Sequence, residues 1–171
     1  MLIYEGTKTD FLQSVEQDTI ALEIGNNIYQ KMRRHTAQNE FRSWENSMEY
    51  MYKVLNDQDI PCDAGIAIEY NIPQTSKRVD FLISGYGNHD DANVVLIELK
   101  QWDEIYAVPG MDGLVETYTG NAMRPVVHPS YQAWSYAMLI TDYNYSVQEG
   151  MIGIFPCAYL HNYRRSQRDP L

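Results

Sequence analysis

The stretch Asn93-Val-Val-Leu-Ile-Glu-Leu-Lys100 constrains this chain more than any other, because it is nearly continuous in apolar residues yet ends on two charges. Such a run predicts a β-strand buried on both faces, hence an interior strand of a sheet. Period two puts Leu96, Glu98 and Lys100 on one face. An acid there needs a partner or a cation, since an unpaired buried carboxylate is costly.

The residues before it read as a hairpin. Gly65-Ile-Ala-Ile-Glu-Tyr-Asn-Ile72 alternates, with Ile66, Ile68, Tyr70 and Ile72 on one face and Ala67, Glu69 and Asn71 on the other. Pro73-Gln-Thr-Ser76 reads as a turn. Lys77-Arg-Val-Asp-Phe-Leu-Ile-Ser84 then puts Val79, Phe81 and Ile83 on one side and Asp80 on the other. A turn of those residues pairs Ile72 with Lys77 and sets Glu69 directly across from Asp80. Like charges in that position repel unless a cation lies between them.

Asp80 and Glu98 are therefore candidate ligands of a divalent cation. Mg²⁺ suits them, because it takes one or two protein carboxylates and keeps its other positions for water and phosphate oxygens, and Mn²⁺ is the expected substitute. A metal activates water and offsets charge on a phosphate, and the Lys100 ammonium is placed to orient that water or stabilise the transition state. Glu69 is a candidate extra ligand or base. Taken alone, Glu98-Leu-Lys100 is more often the pattern of an exposed charge pair; the apolar strand around it argues against that.

With Asp80, the seventeen residues that follow, and Glu98-Leu-Lys100, the chain resembles the PD-(D/E)XK nuclease superfamily. Val79 stands where the signature's name has proline. Downstream, Gln132-Ala-Trp-Ser-Tyr136 is similar to the Gln-x-x-x-Tyr motif of the RecB-like branch, carried on the helix after the catalytic strands. The runs Ile68 to Asp80, Val95 to Trp102, His128 to Gln132 and Cys157 to Tyr163 together resemble the N-terminal nuclease region of bacterial nuclease-helicase proteins, where a superfamily-one ATPase follows. The resemblance implies an α/β, restriction-endonuclease-like core with a mixed central sheet flanked by helices. It also implies Mg²⁺-dependent phosphodiester hydrolysis, with nucleic acid, expected to be DNA, as substrate. The ATPase partner is expected C-terminal to this region, since no Gly-x-x-x-x-Gly-Lys-Ser/Thr loop occurs here.

The motif at Gln132 has a physical reading of its own. Pro129 is placed as a first helical residue, and Gln132 and Tyr136, four apart, share a face. An amide beside a phenol makes a hydrogen-bonding shelf for a nucleic-acid backbone. The same helix also reads as simply amphipathic, with Ala133, Tyr136, Ala137 and Ile140 packing on the sheet.

At 171 residues and 44% hydrophobic content the chain reads as a single globular domain. A helical extension over residues 1–40 precedes a nuclease core at 41–165, and residues 166–171 begin a linker to a further region. Spacing predicts one helix over residues 8–33 capped by Thr9 or Asp10, and another from Ser43 to Asn56 with Trp44, Met48, Met51 and Leu55 as its core stripe. Glu45 and Glu49 share another face of that helix, toward solvent or toward the metal. Met151-Ile-Gly-Ile-Phe-Pro156 reads as a late strand. Cys62 and Cys157, without Cys-x-x-Cys spacing, are expected to be reduced, buried packing residues of a cytoplasmic protein. No apolar run long enough for a membrane span is present. His35, His89, His128 and His161 lack metal spacing, which disfavours zinc.

Net charge is −10, whereas a self-sufficient nucleic-acid binder carries a basic excess. The basic residues gather at Lys31 to Arg34, at Lys77-Arg78 and at Arg164 to Arg168. Lys77 and Arg78 are the candidate nucleic-acid contacts beside the acids, with stronger grip expected from another domain. The competing function class is a non-catalytic module of the same fold serving nucleic-acid docking or assembly.

Overall fold

A computed structural model describes residues 1–87 and 89–164. Of the basic run Arg164 to Arg168 only Arg164 falls within it, and the linker expected at 166–171 lies outside the described residues. In chain order the elements are β1 (Tyr4–Thr7), α1 (Lys8–Glu16), α2 (Ile20–Met32), α3 (Gln38–Leu55), β2 (Gly65–Asn71), β3 (Arg78–Tyr86) and β4 (Ala92–Lys100). There follow β5 (Tyr106–Ala107), β6 (Leu114–Thr119), β7 (Ala122–Val127), α4 (Pro129–Tyr143), α5 (Tyr145–Gln148) and β8 (Ile152–Leu160).

The fold is mixed α/β. Five strands form the central sheet in the order β1-β2-β3-β4-β8, antiparallel except for the parallel pair β4 and β8. A parallel neighbour requires a crossover, and α4 supplies it by packing on β4 and β8. Helices α1 to α3 cover the opposite face: Phe11, Ile24, Ile28, Trp44, Met48, Met51 and Leu55 bury against Ile66, Ile68, Phe81 and Ile97. Under α4, Ala133, Tyr136, Ala137 and Ile140 pack on Ile72, Val79 and Leu96. β4 is thus interior and covered on both faces, as its continuous apolar run predicts.

The helix expected over residues 8–33 is two helices. Asp18 adopts a left-handed φ of 55°, which ends α1 and lets α2 restart at Ile20. Thr7, rather than Thr9 or Asp10, caps α1: its hydroxyl accepts from the Asp10 backbone N–H while the Asp10 carboxylate accepts from that of Thr7. Gly25 sits inside α2 because a Cβ there would come within 3.2 Å of the Phe41 ring on α3. α3 begins at Gln38, five residues before Ser43, and Glu45 and Glu49 are exposed on its outer side. Both cysteines are exposed and free rather than buried. Between Trp102 and His128, where no element is expected from sequence, β5, β6 and β7 form a separate antiparallel sheet. Its hairpin turns on Gly120 and Asn121, both with positive φ, the conformation a two-residue turn demands.

The β2–β3 hairpin has the expected register, with Ile68 across from Phe81 and Tyr70 across from Val79. Its alternation, however, breaks in the middle. Ile66, Ile68, Phe81 and Ile83 face helices α1 to α3, whereas Tyr70, Ile72 and Val79 face α4. The break falls where Glu69, with a left-handed φ of 59°, lies beside Asp80. A non-glycine residue in that conformation turns the strand about its axis, so the residues beyond it change face.

Candidate acidic cleft

Strands β3 and β4 part at the same point. Their ladder ends at Phe81 and Ile97, and its next step would set Asp80 against Glu98. Beyond the ladder the Asp80 Oδ2 accepts the Leu99 backbone N–H at 2.9 Å, so a side chain satisfies the amide there. Two carboxyls thereby come together on adjacent interior strands.

Glu98 is 2% exposed, and its Oε1 accepts from Lys100 Nζ at 2.6 Å and from Gln132 Nε2 at 2.6 Å. The same Gln132 nitrogen is 3.0 Å from the hydroxyl of Tyr136, a buried residue of α4. Burial, then the neighbouring Asp80 charge, push the Glu98 carboxyl up to about 7. Burial likewise raises Asp80, against the pull of the Leu99 amide and of Lys100. Protonated once, the pair can share a hydrogen bond; fully ionised, it leaves the buried Glu98 Oε2 without a donor.

That orphaned oxygen is the test of whether a cation fits. Two adjacent carboxylates, one with an unpartnered buried oxygen, are the hard oxygen donors Mg²⁺ or Mn²⁺ takes, with room beside them for water. Asp80, Glu98, Lys100, Gln132 and Tyr136 line an open cleft of about 540 Å³ together with Met32, Arg34, Asn71, Ser76, Arg78 and Leu99. Among the described residues no three His, Cys, Asp or Glu side chains gather into a group that could hold a metal ion, and Asp80 and Glu98 are the two carboxyls of the cleft.

Glu69 is not part of that convergence. Its carboxylate turns to the α3 side of the sheet, where Oε1 accepts from Trp44 Nε1 at 2.8 Å and Oε2 meets the Arg78 guanidinium. Glu69 lines a smaller pocket of about 160 Å³ that shares only Arg78, Asp80 and Leu99 with the cleft. Burial outweighs Arg78 and Trp44 and raises its carboxyl to about 7. The cation needed between Glu69 and Asp80 is therefore, for Glu69, the side chain of Arg78. Lys77 is exposed at the hairpin turn, outside the cleft lining.

Two groups escaped the sequence. Glu40, in the first turn of α3, bridges Arg34 at 2.9 Å and Arg78 at 3.3 Å. Placing the helix start at Gln38 would have found it, since Glu40 and Trp44 are four apart and share the face turned to Glu69. Arg34 follows Arg33, whose φ of 53° ends α2 and redirects the chain. No sequence signal marks that turn.

No family model, no curated protein and no solved structure matches the chain.

Proposed function

We propose that the chain is a metal-dependent nuclease domain of the PD-(D/E)XK type, with a restriction-endonuclease-like core, hydrolysing phosphodiester bonds of nucleic acid, DNA being the expected polymer, within a larger helicase-nuclease protein. The observation that carries this reading is the Asp80–Glu98 pair on splayed interior strands, with Lys100 on one Glu98 oxygen and no donor on the other. Asp80 and Glu98 would hold the ion. When bound, a divalent cation supplies an activated water and offsets charge on the phosphate.

The chain's own groups account for the rest. Lys100 reaches the cleft beside Glu98 and carries a positive charge to where phosphate oxygens arrive. Gln132, donating to the same oxygen, holds Glu98 in one orientation, and Tyr136 supports Gln132 in turn. The antiparallel hairpin and third strand, joined to a parallel fourth through the α4 crossover, agree with the core the motif implies. Among the described residues no helix is long and apolar enough to cross a membrane.

The test is cleavage of end-labelled DNA and RNA of one sequence by the purified chain with Mg²⁺, Mn²⁺ or chelator. Cutting that requires the ion and is lost in Asp80→Ala and Glu98→Ala is expected. Cleavage indifferent to chelator, or persisting in Asp80→Ala, refutes the metal assignment; ion binding without cutting favours a docking module.

A further inference from the structure

The cleft that holds two acids must also receive a polyanion, in a chain of net charge −10. Attraction for phosphate therefore has to be local. Lys100 is engaged on Glu98. The other cations lining the cleft are Arg34 and Arg78, and both are tied to one carboxylate oxygen, Glu40 Oε1.

We infer that Arg34 and Arg78 form the rim that grips the nucleic-acid backbone, and that Glu40 is their resting counter-ion, displaced when phosphate arrives. The inference rests on reading the cleft as a nuclease site. Guanidinium is the group for this task, because its planar fork matches phosphate oxygens and it stays charged. The pairs are poised to exchange: the Arg34, Arg78 and Glu40 side chains are 47%, 36% and 24% exposed, and ion pairs so open to water are individually weak. Glu40 remains favoured without its partners, since it lies in the first turn of α3, where the helix dipole favours an anion. Arg78 stays anchored through Glu69, which keeps it at the cleft as Glu40 lets go. Arg34 is brought there by the left-handed end of α2, so the helical extension over residues 1–40 contributes a cation to the cleft.

The counter-ion role makes a directional claim: neutralising this one acid tightens binding more than neutralising another acid on the same helix. Binding of the 171-residue chain to a fluorescent single-stranded DNA of about twelve nucleotides, in chelator, tests it by anisotropy. Charge-matched controls are Glu45→Gln and Arg42→Gln, both at exposed positions of α3 outside the cleft lining. Glu40→Gln is expected to bind roughly threefold or more tighter than Glu45→Gln. Arg34→Gln is expected to bind roughly three- to tenfold weaker than Arg42→Gln, with a salt slope shallower by about 0.7, the share of one phosphate contact on a single strand. Matched variants that behave alike overturn the rim, whether or not the chain cuts DNA. Because no divalent ion is present, a chain that shows these differences and never cleaves keeps the rim and loses the nuclease reading.

Discussion

The Gln132 side-chain amide donates to Glu98 Oε1 at 2.6 Å, tying the crossover helix to the acid on β4. Sequence spacing predicts a shelf for the nucleic-acid backbone at Gln132 and Tyr136, whereas the structure turns Gln132 inward on Glu98. On the proposed metal-site reading, this hydrogen bond makes Gln132 a positioning residue for the carboxylate.

Gln132→Ala is therefore expected to weaken Mn²⁺ affinity by about 10–100-fold, the range for loss of a group that orients a ligand. Calorimetric titration of Mn²⁺ measures it. Unchanged ion affinity with weakened DNA binding would instead restore the backbone-shelf reading.

Lys100→Met is expected to keep the ion and slow the chemical step by about two to three orders of magnitude, as for loss of one charge-stabilising donor in a preorganised site. Single-turnover cleavage at saturating Mn²⁺ separates chemistry from binding. A variant cutting at the parent rate reduces Lys100 to a structural partner of Glu98.

Stability should fall as pH rises when no divalent ion is present. Glu98 has its carboxyl raised from 4.5 to about 7, so between those values the native chain holds more protons than the unfolded one. Stability from such a group is present at low pH and lost through that window, on the order of 1–3 kcal/mol. Urea unfolding from about pH 5 to about pH 7.5 in chelator is expected to show the decline, and Glu98→Gln to make it shallower without abolishing it, because the raised Glu69 carboxyl contributes over the same window. A flat parent curve would mean the carboxyl pair is far better solvated than its burial implies.

Much of this architecture is legible in the chain, for identifiable reasons. The apolar run ending at Lys100 fixes β4 as an interior strand, and Pro129 after His128 fixes the start of α4, with the His128 Nδ1 accepting from the Ser130 amide. Asp80 and Glu98 are legible as a pair because both sit in runs that read as neighbouring strands, the second too apolar to leave its acid in solvent. The change of face at Glu69 is not, since a single left-handed residue resets period two without altering composition. That reset sends Glu69 toward Trp44 and Arg78, away from the cleft that spacing assigns it. The bridge from Glu40 to two arginines depends on three separate elements, and local pattern carries no such information.

Trp44→Phe keeps most of the ring but removes the donor from the buried Glu69 oxygen. It is expected to destabilise the fold by about 1–3 kcal/mol, the penalty of an unsatisfied buried acceptor, and by markedly less in a Glu69→Met background, where no acceptor remains. Chemical denaturation of the four chains of this double-mutant cycle checks the coupling. Equal losses in both backgrounds would assign the cost to ring packing alone.

The central claim is that Asp80 and Glu98 hold a catalytic divalent ion, and Mn²⁺ titration of the parent chain against Asp80→Asn measures it most directly. The parent is expected to bind Mn²⁺ and to unfold at higher temperature with it. Asp80→Asn is expected to lose both effects while staying at least as stable as the metal-free parent, because it removes one of two repelling buried charges. A parent that binds no Mn²⁺, or an Asp80→Asn variant that binds it equally well, contradicts the account.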